Sequence, residues 1–277
     1  MMNFALKAVP EIRRIARAGS IVASVLREIG RRIEPRVKPR DLDFLCEELV
    51  RRAGGTPCMR GFGDYPAASA FSVNDVAAHG VPDERPFAPG DVVTVDVAVD
   101  VDGWKADGAW TFLITGGDSE EASRRRRLVN AAWQCSLAGL AIARPPHRIG
   151  DVGAGIWRHA RRDGYQVVRR FTGHGVGRNL HEEPTFHYAE AAGYGRRLVP
   201  GLVFTVEPVI GTTQNVEQTS DGVGFRTTDR SPTAQFEHTI AILPEAIEIL
   251  TMPRIDIARH ATGRTRIAKV EGSYHGW

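Results

Sequence analysis

Cysteine is scarce in this sequence: its 277 residues include three, Cys46, Cys58 and Cys135, and none of them form a C-x-x-C pair. That number and spacing exclude a disulfide framework and a zinc ribbon. The chain also lacks a run of about 18–20 apolar residues, which excludes a membrane-spanning helix. Residues 1–10 lack the basic start and apolar stretch of a signal peptide. We therefore expect a reduced, cytoplasmic protein with no membrane partner.

An excess of charge of one sign is also missing, because 36 basic and 33 acidic side chains give a formal net charge of +3. With 42% hydrophobic and 25% charged residues, the composition is that of an ordinary globular protein rather than a disordered chain, a collagen-like repeat or a coiled coil. The one basic run, Arg124 to Arg127, could contact phosphate groups. It precedes an apolar helical stripe, however, so a solvated helix end is the simpler interpretation.

Hydrophobic periodicity predicts helices that precede strands in both halves of the chain. This order favours an α+β fold with antiparallel sheet over a parallel, doubly wound fold. The strand at 92–101 is the clearest, because valines alternate with smaller and polar residues and Asp102-Gly103 follows as a hairpin turn. The predicted helices span 10–33, 41–53, 119–143 and 149–163, and the predicted strands span 69–74, 92–101, 105–114, 165–171, 202–210, 223–228 and 236–243.

An internal repeat links the two halves. The pattern P-G-x-V-x-T-V-acid begins at Pro89 and again at Pro200, so that Asp96 and Glu207 occupy equivalent positions. The tripeptide His79-Gly80-Val81 likewise recurs as His174-Gly175-Val176. The distance between copies is too long for a solenoid. Two half-domains around a pseudo-twofold axis are the simpler interpretation, and they would bring Asp96 and Glu207 together.

Acidic residues inside strands need a function, because an unpaired buried carboxylate is costly. With a two-residue turn at Asp102-Gly103, Asp96 faces Ala109 and Ala98 faces Asp107. The two acids then lie on one face of the hairpin as diagonal neighbours, about 7–8 Å apart at Cα. Carboxylates at this spacing can share two metal ions that lie about 3.5–4 Å apart.

Further candidate ligands follow in the second half. Glu207 and Glu237 are strand carboxylates, and His174 lies in the glycine-rich segment 172–177. Oxygen ligands with one imidazole suit two divalent ions such as Mn, Fe, Co or Zn, and such a site indicates hydrolysis of an amide or ester. His79 and His181 are candidates to hold the scissile bond. Taken singly, each acid could instead be a surface strand residue and each histidine a structural one.

These residues resemble those of type I methionine aminopeptidases, which have the pita-bread (creatinase/aminopeptidase-like) fold. The resemblance covers about residues 8–252. It implies an α+β fold of two pseudo-twofold related α-β halves with a central antiparallel sheet. A single metallopeptidase domain would occupy 1–252, followed by a basic C-terminal tail at 253–277. The matching stretches are 72–82, 95–97, 103–107, 173–177, 181–184, 205–208 and 231–239.

The resemblance also implies a role for each residue. Asp107 and Glu237 would bridge two ions, His174 and Glu207 would complete one of them, and Asp96 would chelate the other. Glu207 would take a proton from the attacking water. His79 would contact the amide nitrogen of the scissile bond, and His181 would position its carbonyl. The free α-amine of the substrate would bind beside one ion, so that cleavage stops after one residue.

A substrate pocket is implied by the same resemblance. His79 and His181 would contact the substrate, and Phe62 and Tyr65 would form an aromatic wall. Ala70 stands where the family commonly has Cys or Thr, and Leu180 where it often has an aromatic residue. Val209 replaces a frequent Met, and the late loop at 221–225 lacks the expected Trp. These differences predict that the preference for methionine is less strict.

The expected function is therefore a dinuclear aminopeptidase that hydrolyses the N-terminal methionine from nascent proteins and peptides. We expect a cytoplasmic monomer, and the Arg124 to Arg127 run and the basic tail are compatible with ribosome contact. One alternative is a related pita-bread aminopeptidase with a shifted first-residue specificity. Prolidase relatives carry an additional N-terminal domain, for which the ten residues before the first helix leave no room. The other alternative is a non-catalytic ribosome- or nucleic-acid-associated binding protein on this fold, although such proteins typically lose ligands.

Overall fold

A computed structural model describes residues 5–114 and 119–252. It contains the four predicted helices as α1 (Val9–Gly30), α2 (Pro39–Arg52), α3 (Glu120–Ile142) and α4 (Ile149–Arg162). Pro39 begins α2, where its fixed φ and missing N–H are tolerated in the first turn. Within the described ranges, no helix is both long enough and apolar enough to cross a bilayer. The predicted basic tail, 253–277, lies outside the described residues, so the domain division stays a prediction.

All strand pairs among the described residues are antiparallel, which confirms the α+β prediction. The strands fall into two larger sheets, built on β4 and on β9, and two small ones. The strands are β1 (Thr56–Pro57), β2 (Ala70–Val73), β3 (Val76–Ala78), β4 (Val92–Val101), β5 (Trp104–Leu113), β6 (Gln166–Val167), β7 (Thr172–Gly175), β8 (Glu182–His187), β9 (Val203–Val206), β10 (Val209–Gly211), β11 (Val216–Gln218), β12 (Phe225–Thr227), β13 (Ala234–Gln235), β14 (His238–Ile242) and β15 (Ile247–Ile249).

Several strand predictions differ from the structure for identifiable reasons. The predicted strand 202–210 is divided into β9 and β10 at Glu207-Pro208, because proline cannot donate to a sheet ladder. The prediction at 165–171 was too long, since β6 has two residues. The glycine-rich β7 was missed, because it has no alternation of apolar and polar side chains.

The helices cover the outer faces of the two larger sheets. In α1 an apolar stripe that includes Ile12, Ile15 and Val22 is buried, and this helix contacts β4 and β5. Helices α3 and α4 contact each other. Helix α3 also contacts strands β5, β9, β10 and β13, and helix α4 contacts strands β6 and β8. The helices therefore pack against strands of both larger sheets.

Backbone hydrogen bonds repeat between the halves as the sequence repeat does. Gly90 and Gly201 both have a φ of 92°, a left-handed conformation that favours glycine. The Gly90 N–H donates to the Ile114 carbonyl at 2.9 Å, and the Gly201 N–H donates to the Ile242 carbonyl at the same distance. The β4–β5 and β9–β14 pairs therefore begin in the same way, as expected for two copies of one half-domain.

The two halves are joined at their centre by hydrogen bonds between β5 and the chain around β13 and β14. The Glu237 N–H donates to the Ala109 carbonyl at 2.7 Å. The Thr239 hydroxyl accepts from the Asp107 N–H at 3.0 Å and donates to the Asp107 carbonyl at 2.8 Å. Two acidic residues, Asp107 and Glu237, are therefore fixed at the junction by their own backbones.

Replacing Thr239 by Val should therefore weaken this junction. The change keeps the side-chain shape but leaves the buried N–H and carbonyl of Asp107 without their hydroxyl partner, which costs about 1–3 kcal/mol. Urea unfolding followed by tryptophan fluorescence should show a loss of that size in Thr239→Val. The exposed Thr185→Val in β8 is the matched control, and an equal loss in both variants would contradict the assignment.

Candidate metal centre

The β4–β5 hairpin presents two carboxylates on one face. Its register pairs Asp96 with Ala109 and Ala98 with Asp107, which confirms the predicted alignment. The turn residues Asp102 and Gly103 have φ values of 55° and 77°, as a two-residue type I′ turn requires. A local turn signal therefore sets the spacing of Asp96 and Asp107.

Side chains from the second half meet this pair. Donor atoms of Asp96, Asp107 and Glu237 lie within 4.8 Å of one another, as do those of His174, Glu207 and Glu237. A third such group combines Asp107 with His174 and His181. The structure thus brings the five predicted ligands into one cluster, with His181 beside it.

The orientation of His174 is fixed by its backbone. Its Nδ1 atom lies 3.0 Å from the Gly175 carbonyl oxygen, which can only accept, so Nδ1 carries the proton. Burial and the neighbouring His181 lower the pKa of His174 to about 3, so the ring is neutral and its Nε2 has a free electron pair. That atom lies 3.2 Å from Glu207 Oε1. Two acceptors at this distance require a proton or a cation between them.

Two neighbours that the sequence analysis missed hold Glu207 in place. The Thr205 hydroxyl donates to Glu207 Oε1 at 2.6 Å, and the Glu207 N–H donates to the Tyr188 hydroxyl at 2.9 Å. Thr205 belongs to the repeated P-G-x-V-x-T-V-acid pattern, so the repeat was a usable signal for it. Tyr188 lies in no motif, and the sequence carried no signal for its contact.

The carboxylates of the cluster would be stabilised by a bound positive charge. Three buried carboxylate oxygens, one each on Asp96, Asp107 and Glu237, have no hydrogen-bond partner. Burial, reinforced by the charges of neighbouring acids, raises the pKa of Asp96 and Glu237 well above the usual range. Burial likewise raises the pKa of Glu207. Oxygen donors with imidazole nitrogen are a set that divalent cations fill, so these residues fit a metal site.

The two further histidines lie at the edge of the cluster. The His181 ring centroid is 4.0 Å from that of His174 and 4.8 Å from that of Phe62. His79 has a φ of 55°, and its ring packs edge-on against Phe171 and Phe225 at 6.0 and 6.1 Å. Burial lowers the pKa of both histidines. Both are therefore neutral at pH 7 and can donate one hydrogen bond and accept another.

An apolar pocket wall adjoins the acids. Tyr65, Ala70 and Leu180 belong to one buried cluster that also includes Met59, Ala67 and Ala98. Ala98 is the cross-strand partner of Asp107, which places the apolar cluster directly beside the carboxylates. Phe62, predicted in the same wall, is 45% exposed and lies at the rim against His181.

A buried acid of α2 holds this wall from behind. Asp43 Oδ1 accepts from the Ser69 N–H at 2.8 Å and from the Ser69 hydroxyl at 2.7 Å, directly before Ala70. The Tyr65 hydroxyl donates to the Gly80 carbonyl at 2.8 Å, next to His79. The sequence analysis missed Asp43, because it resembles the other charged residues of an amphipathic helix.

The chain is similar over most of its length to known metallopeptidases. Metallopeptidase family M24 matches residues 13–244 of the chain. A methionine aminopeptidase of Rickettsia prowazekii is 33% identical over 237 residues, 85% of this chain and 90% of that protein. Methionine aminopeptidase A of Synechocystis is 36% identical, with 87% and 95% of the two chains covered.

Solved structures support the same likeness. The methionine aminopeptidase of Thermotoga maritima has a TM-score of 0.87 at 33% identity, covering 91% of this chain and all of that one. The prolidase of Pyrococcus furiosus has a TM-score of 0.72 at 18% identity, and this chain covers 66% of it. At that identity the prolidase supports the fold alone, and these likenesses confirm the pita-bread prediction.

The metal-free protein should lose stability as pH rises. Because the pKa values of the clustered carboxyl groups are raised in the folded state, these groups bind more protons in the folded chain than in the unfolded chain above about pH 4. The free energy of unfolding then falls as pH rises through the folded pKa values. The buried histidines, whose pKa values are lowered, act in the opposite direction below about pH 6.5. Thermal melts of chelator-treated protein should therefore give a higher Tm at about pH 7 than at about pH 8.5, a range above the ordinary histidine pKa.

The control for this pH dependence is Glu237→Gln, which removes one titrating group and should make the fall shallower. Added Mn²⁺ should raise the Tm of the wild type most at the higher pH, where the carboxylates are ionised. A metal-free Tm that rises between these pH values would contradict the proposed repulsion.

Proposed function

The chain belongs to metallopeptidase family M24, and we propose that it is a methionyl aminopeptidase, a metal-dependent hydrolase that removes the N-terminal methionine from proteins and peptides. The family works with divalent metal cofactors. The observation that carries the proposal is the junction of the acid cluster with the apolar pocket wall, which meet where Ala98 faces Asp107 across the hairpin.

We propose two ions in this centre, drawn from Mn, Fe, Co or Zn, held by Asp96, Asp107, His174, Glu207 and Glu237. The three donor groups overlap in a way that supports this assignment. Glu237 belongs both to the group with Asp96 and to the group with Glu207, and Asp107 belongs both to the group with Asp96 and to the group with His181. Shared residues are what two adjacent cation positions require, and Asp107 and Glu237 would contribute to both positions.

Glu207 would be the general base. When bound, a pair of divalent ions supplies a water of lowered pKa and positive charge against the developing oxyanion. Glu207 Oε1 is engaged by the Thr205 hydroxyl and faces His174, which leaves Oε2 to accept the proton of the attacking water. The hydrogen bond from its own N–H to Tyr188 keeps the residue from turning away.

The histidines would hold the scissile bond. As a neutral ring, His181 can donate a hydrogen bond to the substrate carbonyl, whose oxygen gains charge during the reaction. His79, on the other side of the site, can contact the amide nitrogen that becomes the leaving amine. The rings of Phe171 and Phe225 pack against the His79 ring, and these contacts do not use its nitrogen atoms.

The apolar pocket would select the first residue. Burying a methionine side chain contributes about 1.5–3 kcal/mol, and the wall formed by Tyr65, Ala70 and Leu180 provides that environment. The substrate α-amine would face the acid cluster, which explains removal of a single residue. Val223, which packs against the wall, and Ala70 are small, and this favours a less strict preference for methionine.

Cytoplasmic location, a monomeric state and ribosome contact belong to the same proposal. The basic run gives ribosome contact little support, because part of it is used within the protein. Arg124 pairs with Glu120 at 2.6 Å, and Arg125 donates to Glu121 and to the Gly90 carbonyl. These contacts favour the interpretation of the run as a helix end. A non-catalytic binding protein is disfavoured, because no predicted ligand is replaced.

Purified protein loaded with Mn²⁺ or Co²⁺ should release methionine from the peptide Met-Ala-Ser, and chelation should abolish the release. Glu207→Gln keeps the shape of the side chain but cannot accept the proton, so kcat should fall about 10²- to 10⁴-fold. The surface variant Glu248→Gln on β15 is the matched control and should keep wild-type turnover. If the metal-loaded protein releases no N-terminal residue from any unblocked peptide, the proposed function is wrong.

A peptide series that differs only at the first residue should rank methionine first, followed by similar unbranched side chains. Each missing or added methylene changes selectivity by about 1–3 kcal/mol. Ala70→Cys places a larger side chain in the pocket wall and so narrows the pocket. It should raise kcat/KM for a peptide that begins with methionine relative to kcat/KM for peptides that begin with larger side chains. A strong preference for a charged first residue would contradict an apolar pocket.

A further inference from the structure

The irregular segment before α1 lies against the loop that carries His181. The Lys7 side chain is only 7% exposed, and its Nζ donates to Glu182 Oε2 at 2.5 Å and to the Ala5 carbonyl at 3.1 Å. The Lys7 N–H donates to the Gly201 carbonyl at 2.7 Å, which fixes this segment to the second half-domain. A lysine from the start of the chain is thus buried beside the catalytic loop.

Glu182 transmits this contact to the turn that contains His181. While Oε2 accepts from Lys7, the other oxygen, Oε1, accepts from the Asn179 N–H at 2.9 Å. This bond closes a turn over residues 179–182, and the turn presents Leu180 to the pocket wall and His181 to the centre. A single carboxylate therefore connects Lys7 to two substrate-contacting positions.

The close approach of Lys7 depends on a glycine. A Cβ atom at Gly177 would lie 2.6 Å from Lys7 Cε and 3.0 Å from Glu182 Oε1. Lys7, His181 and Glu182 also line one groove of about 410 Å³. The absence of a side chain at Gly177 therefore leaves the space that the Lys7 side chain occupies.

The opposite side of the loop is held by the first half-domain. The Lys105 N–H donates to the Gly177 carbonyl at 2.7 Å, and its ammonium donates to the Arg178 carbonyl at 2.8 Å. Lys105 is two residues from Asp107 on β5, so this contact ties the loop to the acid cluster. Beyond Arg178, the Gly177 N–H donates to the Asn179 carbonyl at 3.1 Å, and Glu182 pairs with Gly175 at the start of β8. Between these backbone anchors, the side chains of Glu182 and Lys7 add the contact that closes the turn over 179–182.

We propose that Lys7 is a positioning residue for catalysis: through Glu182 it holds the turn that places His181 over the scissile carbonyl and Leu180 in the first-residue pocket. This inference rests on the proposed aminopeptidase function. Removing the ammonium leaves Glu182 with an unpaired, partly buried charge, which turns outward and releases Asn179. A displacement of about 1 Å in a group that must meet the transition state costs up to roughly a hundredfold in rate.

The test uses Lys7→Met, which keeps the stem and removes the charge. Turnover of Met-Ala-Ser should fall about ten- to a hundredfold, mainly in kcat, while calorimetry shows unchanged Mn²⁺ binding. Lys7→Arg should restore part of the loss. Lys38→Met removes a lysine from an exposed ion pair with Glu84 and should leave turnover unchanged.

A double-mutant cycle separates positioning from general loss of stability. In a His181→Ala background, Lys7→Met should cause little further loss in kcat, because the group that it positions over the carbonyl is already gone, whereas its effect on KM through Leu180 should remain. If the two losses multiply, or if Lys7→Met turns over like the wild type, the inference is overturned while the proposed function stands.

A second readout does not depend on activity. Amide hydrogen exchange at residues 179–182 should accelerate in Lys7→Met and stay slow in Lys38→Met, because the Asn179 N–H loses its carboxylate acceptor. Unchanged exchange there would overturn the inference even if no peptide were cleaved, and failure of cleavage by the wild type would count against the proposed function alone.

Discussion

Mutual repulsion among buried carboxylates is the constraint on which this structure depends. Asp96, Asp107, Glu207 and Glu237 meet in one cluster, and three of their oxygens have no hydrogen-bond partner. No arrangement of hydrogen bonds in the described residues neutralises them, so the fold holds a local concentration of negative charge that only protons or cations relieve. A hydrolytic metal centre requires this cost in stability, because the groups that repel one another without metal are the groups that, on the proposed assignment, would bind the cations.

The backbone hydrogen bonds of the two half-domains hold these acids close together. Each half brings a strand pair that starts at a left-handed glycine, Gly90 or Gly201, and the pairs meet through bonds such as that from Glu237 to the Ala109 carbonyl. The hydroxyl of Thr239 then binds the backbone of Asp107 on both sides. The acids are thus held by main-chain hydrogen bonds rather than by flexible contacts, which keeps them together despite their repulsion.

Much of this could be predicted from the sequence, since its signals are local. The alternation at 92–101 and the Asp102-Gly103 turn determine the register of β4 and β5, and with it the spacing of Asp96 and Asp107. The repeat implied that Glu207 joins them. The roles of Asp43, Tyr188 and Lys7 could not be predicted, because each acts over a long sequence separation through one side chain that no periodicity marks. Short strands such as β7 were missed for a similar reason: tertiary contacts rather than propensity make them extended.

The position of Glu237 late in the chain has a consequence for biosynthesis. A ribosome makes Asp96 and Asp107 well before it makes Glu207 and Glu237, and domains fold in the order in which they emerge. A half-made polypeptide therefore has the first pair of acids without their partners. On the proposed assignment, metal binding requires both pairs of acids, so a copy of the chain that ends before Glu237 would lack peptidase activity.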